Sequence, residues 1–199
     1  QDGITDYVGV LEKSNPGSDE WWPRILFAVA SKEEGRYVLD FQDCNLIRTS
    51  DEGGINGDPY RPLSAEGASF TTQADGGSNW RWKEQFTYAF KGGEWYLVYS
   101  ENIYGFVFGC ITEYSVNDWE KGIGTRNRRS DSFEEMEKDK PEYDLAYEIP
   151  LDEAFTIYQA GMRRELAPKR AADWTVEEVE IADGIELEEA SVCLPDSVS

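Results

Sequence analysis

Glu84 is the single acid in the stretch Trp80–Phe90, and it falls in step with Trp82 and Phe86. A carboxyl group set against aromatic rings loses hydration of its charged form and would suit a general acid. Glycoside hydrolysis needs a second carboxylate. Asp75, Glu101 and Glu113 are available, and spacing selects none of them. The competing reading is structural, with Glu84 paired to Arg81, Lys83 or another cation at a sheet rim. Carboxylates must carry any hydrolysis because the chain has no histidine. That excludes Ser-His-Asp and Cys-His nucleophiles and His-ligated metals within it.

Binding is the other chemistry the residues offer. Trp80, Trp82, Trp95 and Trp119, with Tyr88 and Tyr99, are flat rings of the kind that stack on sugars. Their regular alternation is also what a core face demands. Trp21 and Trp22 are different, because adjacent residues of an extended chain point to opposite faces. One of these rings should face outward, just before Pro23. This pair, with Asp58 and Tyr60 in the loop Gly53–Pro62, forms the candidate ligand-binding set. Cys44, Cys110 and Cys193 show no CxxC spacing. Cys44 and Cys110 lie in apolar stretches and read as buried thiols or as a disulfide. Cys193, in a polar tail, reads as free.

These residues need elements to hold them. Residues 5–12 (TDYVGVLE) read as a strand, and RILFAVA, from Arg24 to Ala30, as a strand buried on both faces. RYVLDF follows after a turn. Residues 50–66 collect Gly, Asn, Asp and Pro and read as one long loop. In NWRWKEQFTYAF the even positions are aromatic apart from Glu84, and the odd ones are polar or small, the mark of a half-buried strand. Lys91-Gly92-Gly93-Glu94 supplies a hairpin loop. Trp95, Leu97 and Tyr99 alternate on the return strand, and Phe106, Phe108 and Cys110 extend the pattern. Residues 111–116 and 124–129 read as further strands. Residues 131–142 form a charged, solvated connector. Asp152 caps an expected helix that Pro168 stops, and WTVEEVEI with IELEEA reads as a hairpin.

Forty acids against nineteen bases give a net charge of −21. Such a field repels phosphate backbones and excludes general nucleic-acid binding. No apolar run reaches the length that spans a membrane as a helix. Residues 131–199 hold 20 acids and 6 bases, so most of the excess charge lies late in the chain. The one basic cluster, Arg126-Asn127-Arg128-Arg129, is expected to pair with that acidic part. The field as a whole favours a basic protein partner.

Three motifs carry a resemblance: Gly57-Asp58-Pro59-Tyr60, then Gly76-Gly77-Ser78-Asn79-Trp80-Arg81-Trp82, then Trp95-Tyr96-Leu97. In their order, residues 2–129 resemble a group of uncharacterised exported bacterial proteins with a GDP(F/Y) loop, a GGS-x-WRW strand opening and a W-(Y/F)-L return strand. The resemblance implies an extracellular or cell-envelope location with a leader removed, in keeping with the Gln1-Asp2-Gly3 start. In that group the first strand often follows a calcium-type loop, D-x-N-x-D-G-(I/L)-x-D. Asp2-Gly3-Ile4-Thr5-Asp6 looks like its second half, which implies Asp2, Ile4 and Asp6 as ligands of an incomplete site. Calcium needs six to eight oxygens, so no cofactor is expected unless the first half is supplied.

The expected fold is mainly β: an antiparallel meander in a twisted or curled sheet with a small α+β extension. Residues 1–130 form the β-rich domain, 131–142 the connector, and 143–199 an acidic helix-plus-hairpin extension docked on it. The expected function is an exported, non-enzymatic binding protein whose partner is another protein, in particular a basic one. The alternatives are a carbohydrate-binding module or carboxylate glycosidase, and a calcium-dependent structural module.

Overall fold

The computed structural model describes residues 6–12, 24–31, 37–43, 45–107, 111–130 and 143–149. Trp21, Trp22, Asp2, Ile4, the three cysteines, the connector, and the helix and hairpin expected after residue 150 lie outside them. The chain is strand-rich and antiparallel, with two sheets and no helix among the described residues. The described residues up to Arg48 form one compact unit and those from Thr49 onward another.

The first unit holds β1 (Tyr7–Glu12), β2 (Arg24–Ser31) and β3 (Tyr37–Asp43) in the order β1-β2-β3. β2 is buried from Arg24 to Val29, as its unbroken apolar run requires. Phe27, Val29 and Tyr37 pack together, with Leu11 and Leu39 against them. Gly9 stands opposite Phe27, and a Cβ there would meet the Phe27 ring at 2.8 Å. Buried Arg24 is paired with Glu12 and donates to the Arg48 carbonyl at 3.0 Å.

The second unit is a seven-stranded meander, β10-β9-β8-β7-β6-β5-β4. Its strands are β4 (Tyr60–Glu66), β5 (Ser69–Gly77), β6 (Trp80–Lys91), β7 (Glu94–Phe106), β8 (Ile111–Asp118), β9 (Ile123–Ser130) and β10 (Tyr143–Glu148). Tight hairpins join several neighbours. Gly92 and Gly93 both take positive φ, +60° and +92°, in the two-residue β6–β7 loop, where the strand twist favours that geometry.

Two expectations are corrected here. Residues 60–66 are a strand rather than the end of a loop. Pro62 is tolerated because β4 ends the row of described strands and its register shifts between Arg61 and Ser64, so no regular ladder bond is required of it. The alternation of Trp95, Leu97 and Tyr99 breaks. Tyr88 pairs with Leu97 but Thr87 pairs with Tyr99, so Val98 is the extra residue of a β-bulge. Leu97 and Tyr99 therefore face opposite sides. The Val98 carbonyl accepts the Trp119 N–H at 3.0 Å. β10, at the start of the expected extension, is the partner of β9 and continues the sheet.

Candidate functional site

Period-two pairing across seven strands brings distant residues into rows. On the face that carries Trp82 and Phe86, one row runs Gly76, Trp82, Tyr104, Glu113, Arg128, Tyr143. The next runs Ala74, Glu84, Asn102, Ser115, Arg126, Leu145, and the third Thr72, Phe86, Ser100, Asn117, Gly124, Tyr147. The β5 end is the packed end: Phe70 and Tyr88 are buried and stacked at 5.0 Å, with Trp95 against Phe70 at 5.1 Å. The β8–β10 end is more exposed and mixes polar side chains with Leu145 and Tyr147.

That exposed end holds a cavity of about 290 Å³, lined by Asn102, Tyr104, Glu113, Tyr114, Ser115, Arg126 and Tyr147. Tyr104 and Tyr147 are 43% and 41% exposed. Tyr104 is set by stacking on Trp80, centroids 5.1 Å apart and planes within 5°. Tyr147 donates its hydroxyl hydrogen to the Asn117 side chain, whose amide in turn donates to Ser100 at 3.2 Å. Its ring lies across Gly124, and a Cβ at that position would collide with it. Glu113 lies 3.5 Å from Arg126 and 3.4 Å from buried Arg128. The Arg126 guanidinium sits 5.9 Å from the Tyr143 ring centroid. Among the described residues, the side chains of Asn102, Ser115 and Arg126 make no hydrogen bond within the protein.

The sequence-derived candidates fall elsewhere. Glu84 is buried on the same face, one row from Glu113 and two strands away, which places their Cα atoms about 12 Å apart by strand spacing. Glu113 is engaged by arginines, while Asp75 and Glu101 are on the opposite face. Asp75 is held by Arg61 at 2.7 Å. Asp58 is exposed and folds its carboxylate back onto the Tyr60 N–H at 2.9 Å, the turn chemistry of an Asx residue. The Asp58–Tyr60 loop lies against the β5–β6 hairpin: Asp75 N–H donates to the Pro59 carbonyl at 3.1 Å and Gly77 N–H to Gly53 at 2.9 Å. The first motif of the resemblance thus bonds the residue just before the second. Asp6 accepts the Ser31 N–H at 2.9 Å, tying the start of β1 to the end of β2. No metal-ligating cluster occurs among the described residues.

The opposite face carries Tyr99, Glu101 and Tyr114. Burial holds both phenols above the ordinary tyrosine range, and Glu101 adds to it by charge and hydrogen bonding. The cavity residues Tyr104, Asn102 and Tyr147 were missed in the sequence, where each is an unremarkable strand residue. The signal was available only as pairing: the Asn117-Asp118 and Lys121-Gly122 turn between two alternating strands places Glu113 beside Arg126 and Arg128. No protein family, curated protein or solved structure matches the chain. No described helix is long and apolar enough to cross a membrane.

Proposed function

We propose that the protein is a non-enzymatic binding protein that works outside the cell and holds a glycan at the Asn102–Tyr147 cavity. The observation that carries this is the pairing of two exposed tyrosine rings with polar side chains that have unspent hydrogen-bonding capacity. Rings supply flat apolar contact to a sugar face, and an amide, a hydroxyl and a guanidinium supply orientation. The volume is at the small end of ligand pockets and suits a sugar ring of a longer chain lying across the sheet. Export is supported by the resemblance of residues 2–129.

A second reading keeps a basic protein as the partner, favoured by the net charge of −21. Calorimetric titration against neutral and acidic oligosaccharides and against basic proteins separates the two. The glycan reading expects saturable binding to at least one sugar, weakened about tenfold or more by Tyr104→Ala, as for a buried aromatic anchor. Binding to basic proteins alone, indifferent to Tyr104→Ala, replaces it with the second reading.

A further inference from the structure

We infer that the glycan held at this cavity is acidic, and that Arg126 binds its carboxylate; this rests on the glycan reading above. Arg126 is 55% exposed at its side chain yet fixed from two sides, by the Tyr143 ring and by Glu113 at 3.5 Å. Neither contact uses its N–H groups well: the ion pair is long for a hydrogen bond, and a ring face accepts only weakly. The donors of its rigid fork that do not face Glu113 are therefore presented beside Asn102 and Ser115. A fork of that shape matches a planar carboxylate with two parallel bonds.

Charge at the site agrees. Arg126, its side chain 55% exposed, places a cation in the cavity lining of a molecule of net charge −21. An exposed cation kept on a strongly acidic protein favours a local anion. The same surrounding field penalises a dianion more than a monoanion, which favours a sugar carboxylate over a phosphate ester. A sulfate ester is also a monoanion, but it is tetrahedral rather than planar. Ser115 and Asn102, one and two strands along the same row, then lie where ring hydroxyls would fall.

The test uses the full chain and calorimetric titration with oligosaccharides of glucuronate, galacturonate and mannuronate. Each is paired with its carboxyl-reduced and methyl-esterified form, and a sulfated neutral oligosaccharide is added. The inference expects at least one acidic oligosaccharide to bind about tenfold or more tighter than both of its uncharged forms. Arg126→Gln should abolish that preference, weakening the acidic sugar far more than its reduced form, and Arg126→Lys should restore only part of it. Should Arg126→Gln fail to fold, the ester and reduced series on the unaltered protein still decides. Equal binding of charged and uncharged forms, or a preference that survives in Arg126→Gln, overturns the carboxylate and leaves the glycan reading standing. Stronger binding of the sulfated sugar also overturns it. Absence of binding to every sugar, neutral or acidic, removes both.

Discussion

At the scale of single residues, charges decide more than their number suggests when water is excluded from them. Arg24 is 1% exposed, and its charge is balanced by Glu12, itself 31% exposed at the side chain. Removing that carboxylate takes an ion-pair partner from a cation that water does not reach. Glu12→Gln is therefore expected to destabilise by about 2–3 kcal/mol, read as a lower urea midpoint at unchanged slope. A loss under about 0.5 kcal/mol would place Arg24 among pairs that matter no more than surface ones. Sequence reading took Arg24 only as the first residue of an apolar run. A buried arginine is not legible there, because what buries it is the strand pairing and what balances it lies 12 positions earlier. Glu84 shows the converse: its place on an aromatic face was legible, and its burial at 8% exposure follows from it.

Elements are where period-two reading worked and where its failures have physical causes. β2 and β6 were legible because their patterns are long and unbroken. β7 was legible in extent as far as Phe106 but not in facing, because one bulged residue, Val98, inverts every side chain after it. β4 was hidden by its Pro and Gly neighbours, which mark loops in isolation but are admissible on an irregular strand with a single described neighbour. Glycines carry the contact between that region and β5. A Cβ on Gly76 would lie 2.7 Å from the Trp82 ring and 2.8 Å from Gly53 Cα. Gly76→Ala should cost about 1–3 kcal/mol and raise amide exchange at Asp75 and Gly77, whose N–H groups bond that loop. Unchanged exchange at both would mean that the loop follows the strand without strain. The β8–β9 turn gives a pH prediction. Asp118 is held below the ordinary aspartate range, chiefly by the Lys121 ammonium, with backbone N–H bonds adding to it. A depressed folded-state value contributes stability above the unfolded aspartate pKa, lost as pH falls through the folded value. The advantage of the natural protein over Asp118→Asn should be constant near neutral pH and vanish in strong acid. An advantage that grows on acidification would reverse that sign.

At the scale of the whole molecule, the question is whether attraction or repulsion among charges prevails. Surface pairs are individually weak: Lys91–Glu120 and Arg129–Asp144 each have both side chains more than 40% exposed. Such pairs contribute about 0–1 kcal/mol, and salt screens them. Against them stands an excess of 21 negative charges on 199 residues, which destabilises the compact state by self-repulsion. Salt screens that repulsion as well, with a Debye length of about 10 Å at 0.1 M falling to about 3 Å at 1 M. The longer-range, more numerous repulsions should relax most over this range. Raising sodium chloride from about 20 mM to 1 M is therefore expected to increase Tm by a few degrees, about 1–2 kcal/mol at this chain length. Chloride is chosen because sulfate would strengthen apolar burial on its own account. A fall in Tm would show that the ion pairs, including the Glu113 corner with Arg126 and Arg128, outweigh the net charge. That corner's preference for a sugar carboxylate should then weaken in parallel with salt, since the same screening acts on both.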